Sequence, residues 1–316
     1  MITCTLGEKK YTVDFISGRA LREMGPAAEM YSRVVAIANG YYGSFVQVDA
    51  SASQAVDNMK GLYPGEDERE DLLPLQRAWD LFTSSRLRDE VTVTAEDGAE
   101  LHGYLFNEGS DVTVVVLPRF YNDGTSDFLP GVFLNELTGC NILLPDPRMH
   151  GQSGGDCFTY GLTEQYDIPL WLSWAEKTLG PQTFILWGEG TGANTILMAA
   201  VHGLLPENVA FIGAESPYAS LHELAQNQIA RWYTVPAFPF LTAIEWKTAH
   251  AAAGFQVKDV DLPAIFTASG TAPAIPVLFL RSDYDTYIRP EWSQAVEEAW
   301  PGAAETVSGG GSHGTV

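Results

Sequence analysis

Apolar and polar positions alternate through VTVTAEDGAELHGYLF (91–106) on either side of Asp97-Gly98. Side chains on a strand point to opposite faces in turn, and an Asp-Gly pair suits a tight turn, so this stretch predicts a β-hairpin. The pattern then changes. Short, almost wholly apolar runs follow at VTVVVL (112–117), NILLP (141–145), TFILW (183–187), VAFIG (209–213) and PVLFL (276–280), with AETVS (304–308) as a last strand candidate. Runs of this length without alternation suit strands covered on both faces. Between them the period lengthens to that of a helix, clearest at Ile168, Trp171, Leu172, Ala175 and Leu179 and again from Asn194 to Ala200. Strand and helix in alternation predict an α/β fold: a mostly parallel sheet with right-handed crossovers and helices on both faces.

The first 40 residues have another texture, a short strand-like opening followed by a helical pattern through Ala20, Leu21, Met24, Ala28, Met30, Tyr31, Val34, Val35 and Ile37. Residues 41–84 contain the acidic, Gly/Pro-punctuated run LYPGEDEREDLLP and read as a surface linker leading into a short helix. Residues 85–316 form the main domain. Within it, the Pro- and aromatic-rich stretch 216–271, with Trp232, Tyr233, Phe238, Phe240 and Trp246, stands out as an insertion.

Composition narrows the function classes. Eighteen Lys and Arg against 40 Asp and Glu give a formal charge of -22, which repels nucleic acid phosphates and anionic membrane surfaces. Cys4, Cys140 and Cys157 show neither CxxC nor Cys/His ligand spacing, so no disulfide framework, metal site or cofactor is expected. The opening residues lack the basic start and apolar run of a signal peptide, and no segment reaches membrane-spanning length, which predicts a cytoplasmic protein.

Ligands of open parallel sheets bind at the carboxyl ends of the strands, so the residues just after each apolar run are the candidates for chemistry. Gly188-Glu189-Gly190-Thr191-Gly192 follows TFILW and opens a helix. Small flanking residues at a sharp strand-to-helix turn are what a nucleophile elbow needs, although Gly190 at its centre has no oxygen or sulfur to attack with. The same residues fit a variant dinucleotide fingerprint with Ala193 in the last glycine position. After NILLP comes DPRMHGQSGG (146–155), after PVLFL comes RSDYDTYIRP (281–290), and near the end of the chain comes SGGGSHG (308–314).

Together these motifs resemble the α/β-hydrolase superfamily, in particular the bacterial branch of serine esterases and peptidases. DPRMHGQSGG is similar to that branch's D-x-R-x-H-G-x-S-x-G loop, in which the resemblance gives Arg148 and His150 a structural role. RSDYDTYIRP resembles the loop carrying the triad acid, which implies Asp285 as the acid with Asp283 as its competitor. His313 is then the base, and Gly190, Asp285 and His313 follow the family's chain order. The resemblance implies oxyanion-hole donors at the backbone N–H groups of Thr191 and Phe120, and a lid over the pocket formed by the 216–271 insertion. The chain departs from the pattern at Gly190, at Pro118-Arg119 where His-Gly is usual, at Arg281-Ser282 where His-Gly is again usual, and in the absence of a closing helix after His313.

Three functions are consistent with these residues. The first is a carboxyl-ester or peptide hydrolase type, inactive or very weak because Gly190 holds the nucleophile position, whether by natural loss or by deliberate removal of a serine. It would act on a small-molecule ester or peptide with an apolar part. The second is a non-catalytic binding or scaffolding protein using the retained pocket. The third moves the nucleophile to Thr191. The opening TCTLGEKKYTVDFISGRALREM also resembles small tail-assembly proteins of phages infecting Gram-positive bacteria, without any catalytic motif.

Overall fold

The computed structural model describes residues 2–6, 9–13, 82–84, 86–120, 122–125, 127–233, 241–242, 245, 249 and 254–309. The helical pattern at 20–37, residues 41–81 of the linker, Phe238, Phe240, Trp246 and His313 lie outside the described residues.

The strand-like opening is a two-stranded antiparallel sheet of β1 (Ile2–Leu6) and β2 (Lys9–Val13). The hairpin expected around Asp97-Gly98 is β3 (Asp89–Thr94) and β4 (Glu100–Phe106), its turn closed by Ala95 N–H donating to Ala99 O and Gly98 N–H donating to Ala95 O, with Gly98 at φ 88°. The chain then runs through β5 (Val112–Leu117), α1 (Leu129–Thr138), β6 (Asn141–Pro145), α2 (Asp167–Leu179), β7 (Thr183–Glu189), α3 (Thr191–Val201), β8 (Val209–Glu215), α4 (Leu221–Tyr233), α5 (Leu262–Ser269), β9 (Val277–Ser282), α6 (Pro290–Ala299) and β10 (Ala304–Gly309).

Eight strands form one sheet in the order β10-β9-β8-β7-β5-β6-β4-β3. Only β4 breaks the parallel run, pairing antiparallel with both β3 and β6. The absence of alternation in the central strands has the expected cause. In β5, Val114 and Val116 pack on one face with Phe82, Phe128 and Ile142, while Val115 packs on the other with Leu143, Leu186, Trp171 and Phe279. Each face needs an apolar residue, so both parities of the strand are apolar.

Helices cover both faces. Among the described residues α1 adjoins the first cluster, whereas α2, α3, α5 and α6 supply Leu172, Ile196, Phe266 and Val296 to the second. Part of the stretch read as an insertion therefore belongs to the core: Leu262 is 0% and Phe266 3% exposed. The excursion from the fold is narrower than 216–271. Its base is stitched by the Ser220–Asp261 bridge, with Leu221 N–H donating to Val260 and Leu262 N–H to Ala219. No helix among the described residues is long and apolar enough to cross a membrane.

Candidate active site

β7 ends in Gly188-Glu189, and α3 starts at Thr191, so the whole change of direction falls on Gly190. Its backbone sits at φ 53°, ψ −111°, a conformation open to glycine and strained for any residue with a Cβ. The three glycines of the motif have different reasons to be there. A Cβ on Gly188 would lie 2.5 Å from the backbone of Gly192 and Ala193, and one on Gly192 would lie 2.2 Å from the carbonyl oxygen of Leu117. Neither can be accommodated. A Cβ on Gly190 would meet only Ile288 Cδ1 at 3.4 Å and Arg119 Cβ at 3.5 Å, ordinary contact distances. The bend thus has room for a side chain that the sequence does not supply.

The neighbours of Gly190 come from the strand ends on either side. Gly190 N–H donates to Glu215 O at the end of β8 (2.8 Å), and Ile288 descends from the loop after β9. That loop is organised by Asp285, buried at 5% exposure, whose Oδ1 accepts the backbone N–H groups of Tyr287 and Ile288, both at 2.8 Å. The competing carboxylate, Asp283, faces outward with its side chain 56% exposed and lies 3.9 Å from Arg281. Its backbone N–H donates to Gly309 O (3.0 Å), which brings the last residue of β10 beside the Asp285 loop.

Phe120 follows β5 in the loop that begins at Pro118, and its ring is buried against Phe158 (5.5 Å, stacked), Tyr160 and His150. Thr191 is the first residue of α3, where backbone N–H groups have no partner within the helix. Its hydroxyl is buried and lies 3.3 Å from that of Tyr218. The Thr191 side chain is thus engaged with a second buried hydroxyl, which counts against a nucleophile at this position.

Arg119 was legible as a departure from the family pattern, but not as a partner of Glu189. Arg119 Nη1 lies 2.9 Å from Glu189 Oε1, while Nε and Nη2 donate to Asp127 Oδ1 at 3.1 and 2.9 Å. Burial pushes the Glu189 carboxyl well above the usual range. The Arg119 guanidinium opposes that shift, and the charges of Asp127, Glu215 and Asp285 add to it. Asp127 carried no sequence signal beyond an acid in a loop, so its burial at 6% exposure was not legible.

The DPRMHGQSGG loop is held as a structural unit. Arg148 donates to both oxygens of Asp167 (2.7 and 2.8 Å) and pairs with Asp97 in the β3–β4 turn. His150 is 3% exposed with Nδ1 2.7 Å from Arg148 O, and burial pulls its pKa down to about 4. Asp146 accepts the N–H groups of Gly124 and Gln152, tying this loop to the one that follows β5. A cavity of about 40 Å³ lies against the first turn of α3, lined among others by Leu117, Pro118, Phe158, Trp171, Thr191 and Gly192. That is room for about two or three waters.

Strand order, antiparallel second strand, and a glycine-flanked strand-to-helix bend with positive φ define an α/β-hydrolase fold. Solved structures agree. The chain is similar to an esterase of Pyrococcus furiosus, Pf2001, with 20% identity and a TM-score of 0.58 over 73% of this chain and 84% of that one. It is also similar to a hydrolase from Pseudomonas aeruginosa, with 20% identity and a TM-score of 0.51 over 72% and 92%. In sequence it is 30% identical over 152 residues to the uncharacterised protein YqkD of Bacillus subtilis strain 168. That match takes in 48% of each, so the chain spans about half the length of the curated relative it matches. No protein-family model matches the chain.

Proposed function

We propose that the chain is of the serine-hydrolase type, built for a carboxyl ester or peptide bond, with Gly190 at the nucleophile position. As written it has very weak turnover or none. The observation that carries this reading is the contrast among the three glycines: the flanking two are sterically required, and the central one is not. A strained bend with a place for a Cβ is the geometry of a residue meant to present its side chain at the top of the sheet. Asp285, one hydrogen bond from the residue that overhangs Gly190, is the triad acid of this proposal. His313 is its base. It lies four chain steps beyond Gly309, a reach of about 14 Å when extended, and three strand spacings of about 4.8 Å separate β10 from β7. The N–H groups of Phe120 and Thr191 are the oxyanion donors.

The substrate in this reading is a small ester or peptide with an apolar part, received under a lid formed by the excursion between Ser220 and Asp261. The formal charge of -22 favours small molecules over nucleic acid or anionic membrane surfaces in this reading. Labelling tests the assignment. Gly190→Ser should react with a fluorophosphonate probe at residue 190, and the reaction should be lost when His313→Ala or Asp285→Asn is added. Labelling that survives both additions would contradict the triad.

A second reading, a binding protein without acyl transfer, is favoured by Arg119. It stands where the family has glycine, its Cβ borders the Gly190 position, and its charge is committed to Asp127 and Glu189. A Gly190→Ser protein that neither labels nor turns over esters, yet retains affinity for an ester or peptide, would support it.

A further inference from the structure

The loop after β5 and the first turn of α3, which carry the two oxyanion donors of the reading above, meet in backbone contact. A Cβ on Gly192 would fall 2.2 Å from Leu117 O and 2.7 Å from Pro118 O. That contact sets their separation from below, inside the fold. On the other side of Phe120 the loop is tied by Asp127. Its Oδ2 accepts Arg119 N–H (2.7 Å), its Oδ1 accepts Asn122 Nδ2 (2.9 Å) as well as the two Arg119 side-chain nitrogens, and Arg119 O accepts Asn122 N–H (3.2 Å). Asp127 has only 3% of its side chain exposed, so these donors replace most of its hydration. The remaining nitrogen of the same guanidinium crosses to Glu189, the residue before the bend. A planar guanidinium can hold two carboxylates on different edges at once, and a lysine cannot.

We propose that Arg119, clamped between Asp127 and Glu189, is a positioning residue that locks the Phe120 donor to the Gly190–Thr191 bend, doing by ion pairing what a His-Gly loop does by fitting closely. This inference rests on the proposed hydrolase reading for its purpose, though not for its geometry. It accounts for a charged residue at a place where space is at a premium. It also gives the buried Glu189 carboxyl, whose ionisation is opposed by burial and by three nearby acids, a cationic partner at 2.9 Å. The clasp joins the loop after β5 to the end of β7, 70 residues further on, at the point where a tetrahedral oxyanion would be received.

Two measurements test it, and they fail separately. In the chain as it stands, Arg119→Lys or Glu189→Gln should raise amide hydrogen exchange together in the segments 117–127 and 188–195. A rise confined to the segment that carries the substitution would overturn the clasp. In a Gly190→Ser background, Arg119→Lys and Asp127→Asn should each lower kcat by roughly tenfold to a hundredfold, with KM changed less than about threefold, as expected for donors needed chiefly in the transition state. Combining them should add less than about twofold to the larger loss, because they act as one unit. An active Gly190→Ser enzyme indifferent to both changes would overturn the positioning role. A Gly190→Ser protein that is itself inactive would overturn the hydrolase reading, and with it the role in catalysis, while the exchange measurement still decides the clasp.

Discussion

The Asp285 carboxylate accepts the backbone N–H of Ile288 at 2.8 Å, and Ile288 in turn places its Cδ1 3.4 Å from where a Cβ on Gly190 would stand. The acid assigned from the motif therefore fixes the side chain that roofs the bend. One substitution at Asp285 should disturb both the loop and the approach to position 190.

The three glycines of the bend should rank clearly when replaced. Gly190→Ala has space but takes the positive φ, at a cost of about 1–3 kcal/mol. Gly188→Ala and Gly192→Ala force a Cβ into backbone atoms and should cost more, or fail to fold. Urea unfolding checks the order, and a Gly192→Ala protein as stable as Gly190→Ala would contradict it.

Arg148 is held on both sides, unequally. Asp167 is 11% exposed and bound by two hydrogen bonds, whereas Asp97 is 54% exposed. Arg148→Met strands a buried carboxylate and should destabilise by about 3–5 kcal/mol. Asp97→Asn removes the outer partner only and should cost less than about 1 kcal/mol. Denaturant midpoints of the two variants separate these cases.

Acid should weaken the fold through His150. The unfolded chain protonates this histidine near its ordinary value of 6.5, but the buried ring resists until about 4, so the unfolded state binds the extra proton between those pH values. Stability falls as pH drops from about 6.5 to 4, and it is fully present above that window. His150→Phe keeps a ring against Phe120 and Phe158 and should be less acid-sensitive than the parent, by on the order of 3 kcal/mol across the window. Equal acid sensitivity of the two proteins would show that another group controls it.

How far the sequence could be read depended on which residues were apolar. The limits of β5 and β6 were legible to the residue, because VTVVVL and NILLP end where apolar residues end. β7, β8 and β9 each run two residues further than their apolar cores, and those added residues are Gly188-Glu189, Ala214-Glu215 and Arg281-Ser282. Polar strand ends look like loop in a pattern of hydrophobicity, yet the ladder continues, with Glu189 paired to Glu215. The site shows the same division. The bend carries a local glycine motif, and the Asp285 and DPRMHGQSGG loops were singled out by their resemblance to family loops. The clasp joins Glu189 to Arg119 and Asp127, which are distant from it in the chain, and acidic side chains read as solvated surface until their burial is seen.

Ester turnover shows whether Gly190 lies where an attacking hydroxyl belongs. Hydrolysis of p-nitrophenyl esters of several chain lengths should be near background for the chain as it stands. Gly190→Ser should raise it by about a thousandfold or more, since restoring a triad nucleophile recovers the largest share of such catalysis. A Gly190→Ser protein that folds, as judged by its unfolding midpoint, and still hydrolyses every ester at the rate of the parent would contradict the account.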